Sequence, residues 1–145
     1  MSEYTIKDIV EEPGVAYAAS SSTPEMQLVE MARNGISKKA LLRIAEMSNL
    51  SVSELTKLLP VSLRTIQRYS DDDLLDRAVS EHALNIAEVI SHGTRVFGDL
   101  ESFQRWLHSP LPALGHQTPV SFLDTGFGAR MVSNLLGRIE YGVYS

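Results

Sequence analysis

An all-α fold is what the sequence predicts, and three features indicate it. Apolar residues recur at spacings of three and four along most of the chain, which is the period of a helix that buries one face. No segment alternates apolar and polar residues for long enough to predict a strand. Helix-capping residues, mostly Ser, Thr and Asp, stand just before the apolar stretches. The 145 residues, 43% of them hydrophobic, suit one globular domain or two very small ones sharing a core.

The sequence of residues 1–34 predicts a partly flexible segment with one helix. The tracts EEPG and AASSS have loop composition without a burial pattern, so we expect this part to be mobile. Thr23 followed by Pro24 is a helix start, and Gly35 can end the same helix in a left-handed conformation. The predicted buried edge of this helix consists of Met26, Val29 and Ala32.

Residues 35–72 predict a helix-turn-helix domain. Ser51 and Glu54 form a capping box at the start of a short helix, and Pro60 ends that helix at about residue 59. A further short helix follows after a tight turn, which is the arrangement that places a recognition helix in the major groove of DNA. The caps that start the three helices of this domain are Ser37, Ser51 and Ser62.

The last of these helices is the predicted DNA-binding element. Residues 35–70 contain six Lys and Arg against two Glu, although the whole chain has a net charge of −5. Arginine and glutamine side chains pair with guanine and adenine edges, and hydroxyl groups reach phosphates or bases. A small bundle with a solvated basic face remains the alternative. The predicted DNA-binding residues are Ser62, Arg64, Thr65, Gln67 and Arg68.

Residues 73–145 predict a second helical domain. At the boundary before this domain, Asp71, Asp72 and Asp73 lie where their negative charge favours the start of a long helix. An apolar stripe runs along this helix for about six turns. Asp99 caps a short amphipathic helix in which Trp106 is expected to be buried, and Thr118 with Pro119 marks another helix start. A last helix is expected to hold the apolar residues Met131, Val132, Leu135, Leu136, Ile139 and Val143.

No constellation predicts catalysis, so we expect a protein that is no enzyme and holds no metal or cofactor. Cysteine is absent, and His82, His92, His108 and His116 are not spaced like zinc ligands. His82 is expected to be a hydrogen-bonded core residue. The glycines of 126–130 follow no strand, so helix initiation explains them better than phosphate binding. The absence of cysteine, of a signal peptide and of a membrane-spanning run indicates the cytoplasm.

Two stretches carry a resemblance to a known family, and together they cover roughly residues 35–145. GISKKALLRIAEMSNLSVSELTKLLPVSLRTIQRY is similar to the Xre-like helix-turn-helix of antitoxins that are paired with RES-domain toxins. VFGDLESFQRWLHSPLPALGHQTPVSFLDTGFGARMVSNLLGRIEYGVYS resembles the Xre/MbcA/ParS toxin-binding domain. The motifs VFGD, WL, ALG, TP and RIEYG stand in the order and spacing of that domain.

The resemblance implies an antitoxin that blocks the active site of a RES-domain, NAD-consuming toxin and represses its own operon. It also implies a homodimer within a larger complex with the toxin. The NAD chemistry belongs to the toxin. In this family the region near the C-terminus reaches the entrance of the toxin's active site. The toxin-binding residues that the resemblance implies are Arg130, Arg138, Glu140, Tyr141, Gly142 and Tyr144.

An alternative function is a helix-turn-helix regulator whose C-terminal half dimerises or senses a ligand. Two tyrosines near the chain end have the composition of a partner interface, which favours the antitoxin hypothesis. A ligand pocket needs converging polar groups, and the sequence does not indicate such a set.

Overall fold

The computed structural model describes residues 4–10 and 23–142, and these ranges are helical with no strand. The all-α prediction is therefore confirmed. The predicted loop tracts at 11–22 and Val143 lie outside the described residues. The α-helices are α1 (Ile6–Val10), α2 (Pro24–Asn34), α3 (Lys38–Met47), α4 (Val52–Thr56), α5 (Leu63–Gln67), α6 (Arg77–Phe97), α7 (Leu100–Leu107) and α8 (Gly126–Glu140), and 3-10 helices cover Pro112–Leu114 and Pro119–Phe122.

Helix α6 is the central element of the fold. It is the longest described helix, with 21 residues, and α1, α2, α3, α7 and α8 all pack against it. Ala83, Ile86 and Ile90 on α6 are completely buried and belong to one hydrophobic cluster that includes residues from both ends of the chain. The helix-turn-helix and the C-terminal helices therefore share a core.

Five of the helix starts that were predicted from capping residues are confirmed. The Thr23 hydroxyl accepts a hydrogen bond from the Met26 amide over 3.1 Å. In the capping box, the Ser51 hydroxyl accepts from the Glu54 amide at 3.0 Å, and the Glu54 carboxylate accepts from the Ser51 amide at 2.9 Å. Side-chain caps also start the helices at Ser37, Ser62 and Asp99.

The prediction that three aspartates begin the long helix is wrong, because α6 begins at Arg77 with Asp76 as its cap. The aspartates lie instead in a loop against the start of α3. There the carbonyl oxygens of Asp73 and Asp71 accept hydrogen bonds of 3.0 and 2.9 Å from the amides of Lys38 and Lys39. The first amides of a helix have no acceptor within the helix, so the loop supplies acceptors that α3 lacks.

The predicted buried edge of α2 is partly wrong. Met26 and Val29 are 55% and 46% exposed, whereas Met31 and Ala32 are buried. The helix faces α6 along a line that passes through Leu28 and Ala32. Helical periodicity in so short a segment allows several faces, and the position of α6 selects one of them.

A second N-terminal helix, α1, was not predicted from the sequence. Its Ile9 and Val10 are buried against α3 and α6, and a Thr5–Asp8 pair caps its start. The Arg43 guanidinium of α3 donates to the Asp8 carbonyl oxygen over 3.2 Å. One helical turn has too little periodicity to be recognised, so only its packing identifies α1.

The segment before α8 is more irregular than its helix-start signals suggest. Thr118 makes no side-chain cap, and the four residues from Pro119 form a 3-10 helix. Helix α8 begins after Thr125, and Gly128 lies directly against the Phe122 carbonyl group. Close packing thus explains this glycine. Nε2 of His82 lies 3.3 Å from the Leu123 carbonyl oxygen, so the predicted hydrogen bond is present, but the side chain is half-buried and not part of the core.

Within residues 4–10 and 23–142, no helix has both the length and the apolar character needed to cross a bilayer.

Candidate nucleic-acid and protein interfaces

Helices α4 and α5 form the helix-turn-helix. Helix α4 ends at Thr56, earlier than predicted, and Leu55 and Ile66 bury the facing sides of the two helices. The Ser62 hydroxyl caps α5 by accepting from the Thr65 amide at 3.1 Å, and the two hydroxyl oxygens lie 2.9 Å apart. Both hydroxyl groups therefore help to start the helix.

The predicted DNA-binding residues lie together at this short helix. Arg64, Gln67 and Arg68 are exposed, whereas Thr65 is half-buried. Arg64 and Arg68 are four residues apart, so both project from one side of α5 and can approach the same groove. This arrangement can supply two guanidinium groups and one amide to base edges or phosphates.

Only some of the basic side chains in residues 35–70 are exposed to solvent. The Lys38 ammonium is half-buried and donates to the Tyr69 carbonyl oxygen at 2.9 Å, and the guanidinium of Arg43 holds α1. Two of the six basic side chains thus stabilise helix ends. The exposed ones are Lys39, Lys57, Arg64 and Arg68.

Helix α8 exposes a continuous line of side chains, which we call the α8 surface. Phe127 and Tyr141 at its two ends are 78% and 80% exposed, and the Arg130 guanidinium lies 5.8 Å from the centre of the Phe127 ring. Large exposed apolar groups next to arginine are typical of protein-binding surfaces. The α8 surface consists of Phe127, Arg130, Met131, Asn134, Arg138 and Tyr141.

Three residues of the α8 surface were not predicted from the sequence, namely Phe127, Met131 and Asn134. Phe127 lies in the stretch 126–130, which was ascribed to helix initiation, and Met131 was predicted only as an apolar residue of the last helix, although it is 46% exposed. Val132 and Leu136 are the positions of α8 that are completely buried. Phe127, Met131 and Asn134 continue the spacing of three and four residues that connects Arg130 with Arg138, so the helical period could have revealed them.

The C-terminal end of α8 is tied to α6 through Glu140. Its carboxylate oxygens lie 3.1 Å from Nε2 of His92 and 3.5 Å from Nε of Arg95. The hydrogen bond to His92, assisted by Arg95, holds the pKa of Glu140 below its usual value of 4.5. Glu140 therefore fixes the C-terminal end of α8 against α6. Tyr141 and Gly142 follow it on the surface, and Tyr144 lies outside the described residues.

A groove of 630 Å³ runs between α6 and the first half of α8. Glu81, Glu88, Arg95 and Arg130 line it, and Arg130 also belongs to the α8 surface. Burial, with a further contribution from Glu25, raises the pKa of the Glu88 carboxyl group. The groove is polar and open along its length.

The histidines are dispersed over the fold. His82 contacts Leu123 at the end of the second 3-10 helix, His92 contacts Glu140, and His108 contacts the end of α3. Within the described part of the chain, no three His, Asp or Glu side chains are grouped so that they could hold a metal ion.

The attachment of α8 to α6 is expected to weaken in acid. A carboxylate whose pKa is lowered by folding contributes stability above its unfolded value, and loses it as the pH falls through the folded value. The contribution of Glu140 is therefore fully present above about pH 4.5 and is lost as the pH falls through the lower pKa of the folded state. Glu140→Gln should lower the melting temperature at about pH 6 and lower it less at about pH 3. Thermal unfolding followed by circular dichroism measures both values. Glu30→Gln on the exposed side of α2 is the control, and an equal effect of Glu140→Gln at both pH values would contradict this role.

The geometry defines a helix-turn-helix protein whose last helix presents a separate exposed surface of apolar and arginine side chains. Two family models match the chain in the corresponding places. The antitoxin Xre-like helix-turn-helix domain matches residues 27–88, and the antitoxin Xre/MbcA/ParS C-terminal toxin-binding domain matches residues 92–142. Together they cover more than three quarters of the chain.

Three curated relatives extend over most of the chain. An antitoxin Xre of Photorhabdus laumondii is 29% identical over 87% of this chain and 85% of its own length. An antitoxin Xre of Yersinia enterocolitica is 28% identical over 81% of both. A protein of a Sphingobium species, named Prs ADP-ribosylating antitoxin, is 25% identical over 92% of this chain and 90% of its own length. The chain belongs to the Xre-type antitoxin family, with a helix-turn-helix and a toxin-binding domain.

Proposed function

We propose that this antitoxin neutralises a RES-domain toxin that consumes NAD, and that it does so by covering the toxin's active site. The α8 surface is the observation that carries the proposal, because it lies in the region that matches the toxin-binding domain. The name of the Sphingobium relative associates a similar antitoxin with ADP-ribosylation. That reaction also draws on NAD.

The toxin contacts that we propose lie along the α8 surface and at the chain end. Exposed aromatic and arginine side chains contribute much of the binding energy at protein interfaces. Glu140 is held by α6, so it positions the residues that follow it as much as it offers a contact. The proposed contacts are Phe127, Arg130, Met131, Arg138, Glu140, Tyr141, Gly142 and Tyr144.

We also propose that the chain performs no catalysis itself. The toxin-binding role needs complementary surface and no reacting group, and the relatives are named antitoxins. A role as a repressor requires the chain to be in the compartment that contains its DNA, which is the cytoplasm in bacteria.

Co-expression tests the neutralising function. A RES-domain toxin is expressed in a bacterial host alone and together with the full antitoxin chain, and cellular NAD is measured. We expect NAD to collapse with the toxin alone and to remain at the host level when both are expressed. Depletion of NAD in the presence of abundant, folded antitoxin would contradict the proposal.

We propose repression of the antitoxin's own operon through α5, by a homodimer. Helix α5 has only five residues, so one copy can touch few base pairs, and two copies related by a twofold axis can bind two half-sites. The match to an Xre-like helix-turn-helix and the exposure of Arg64 and Arg68 support this role.

Removal of one arginine from α5 should weaken DNA binding. For Arg64→Ala we expect a loss of about 1–3 kcal/mol if the guanidinium contacts a base edge. Fluorescence anisotropy with a duplex from upstream of the antitoxin gene measures the affinity at several salt concentrations. Arg77→Ala, at the exposed start of α6, is the matched control. Unchanged affinity of Arg64→Ala at every salt concentration would exclude α5 as the reading helix.

A further inference from the structure

The end of α3 is a turn that sets the direction of α4. Asn49 has a φ angle of 56°, and the amides of Asn49 and Leu50 donate to the carbonyl oxygens of Glu46 and Ala45 at 3.1 and 2.9 Å. These two bonds form a Schellman motif, which satisfies two of the last carbonyl groups of the helix. The amides of the turn donate no hydrogen bond to the carbonyl oxygens of Met47 and Ser48.

Helix α7 of the toxin-binding domain supplies donors to both of these oxygens. Nε2 of Gln104 lies 3.0 Å from the Met47 carbonyl oxygen, and Nε2 of His108 lies 2.8 Å from the Ser48 carbonyl oxygen. Gln104 and His108 are four residues apart and therefore share one face of the helix end. The α3–α4 turn is thus completed by residues from a different matched domain.

The same helix is fixed to α6 on its other side. Phe103 is completely buried, and its ring lies against Gly93 so closely that a Cβ atom at position 93 would overlap it. A rigid connection therefore runs from α6 through α7 to the turn before α4. His108 is also close to the capping box of α4. The pKa of Glu54 lies below its usual value chiefly because Ser51 hydrogen-bonds to it, and a charged His108 lowers it further.

We propose that Gln104 and His108 are positioning residues of the DNA-binding surface, although they lie in the toxin-binding domain. They hold the α3–α4 turn, and through it the orientation of α4 and α5. This inference rests on the proposed operator binding. If the inference holds, a partner that displaces α7 when it binds also changes the affinity of the protein for its operator. By thermodynamic linkage, operator DNA then changes the affinity for that partner by the same factor.

The test uses full-length variants that keep side-chain volume and remove the donors. Gln104→Met with His108→Phe leaves both carbonyl oxygens unpaired. Glu101→Ala with Arg105→Ala is the matched control, because this exposed pair has the same spacing on the outer side of α7. In a third variant, His108→Gln, an amide can donate in place of the imidazole.

Two measurements follow these variants. Amide hydrogen exchange of the free protein reports on residues 49–67, and anisotropy reports on binding to the duplex from upstream of the gene and to a shuffled duplex. We expect the double variant to exchange faster in 49–67 and to bind the upstream duplex about tenfold more weakly. Binding to the shuffled duplex should change less, because phosphate contacts dominate it. The control and His108→Gln should resemble the wild type.

The outcomes separate this inference from the proposed function. Wild-type exchange in residues 49–67 of the double variant would overturn the positioning role, and so would unchanged affinity for the upstream duplex despite faster exchange. An equal loss on both duplexes would also overturn it, because that result indicates general destabilisation. If the wild type does not bind the upstream duplex better than the shuffled one, the proposed repression fails. The exchange data then decide the positioning role alone, with faster exchange supporting it.

Discussion

Phe103→Ala is expected to lower the free energy of unfolding by about 3–5 kcal/mol, the cost of removing a large aromatic side chain from a core. The Phe103 ring is completely buried where α7 packs on α6. It lies directly against Gly93, at a place where no Cβ atom would fit. The cavity would open where the two helices approach most closely. Urea unfolding followed by circular dichroism measures the loss.

Trp106→Ala is the matched comparison on the same helix. The sequence predicted a buried Trp106, but its ring is only half-buried and lies 5.6 Å from the Phe97 ring and 6.5 Å from the Phe103 ring. Because folding removes less apolar surface of Trp106 from water, we expect a smaller loss in the free energy of unfolding, of about 1–3 kcal/mol. A larger loss for Trp106→Ala than for Phe103→Ala would contradict the packing described here.

Phe127→Ala with Met131→Ala is expected to weaken toxin binding by about 2 kcal/mol or more, or roughly 30-fold, because apolar anchors at an interface core have effects of this size. Both side chains are exposed in the free chain, so the variant should keep the melting temperature of the wild type. Isothermal titration with the RES-domain toxin measures the affinity.

The chain offers a matched control on α2. Met26→Ala with Val29→Ala removes a similar exposed apolar pair, 55% and 46% accessible, from a different surface. Toxin binding that is weakened equally by both pairs, or by neither, would count against the α8 surface.

Deletion of residues 141–145 separates the contribution of the α8 surface from that of the chain end. If the end blocks the active site, the truncated chain should bind the toxin with reduced affinity and fail to preserve NAD in cells. Full protection by the truncated chain would assign inhibition to α8 itself.

The sequence by itself determined where most helices begin. Thr23, Ser37, Ser51 and Ser62 act on amides only three residues away, so these caps depend on local chemistry and were recognisable without the fold. The exposure of Arg64 and Arg68 also follows from local sequence. The cap fixes where α5 begins, and the start of so short a helix decides which side chains share a face.

Only the tertiary structure decided which faces are covered. Helix α1 is recognisable only by its packing on α3 and α6. Helix α2 leaves Met26 and Val29 largely exposed because Leu28 and Ala32 face α6, with Val29 at the edge of the groove between the two helices. Met131 looks like a core residue in sequence but lies on the outer side of α8. The contacts of Gln104 and His108 with α3 join residues almost 60 positions apart. Periodicity records which residues share a helix face, whereas the partner of that face depends on packing between distant segments, which local sequence does not encode.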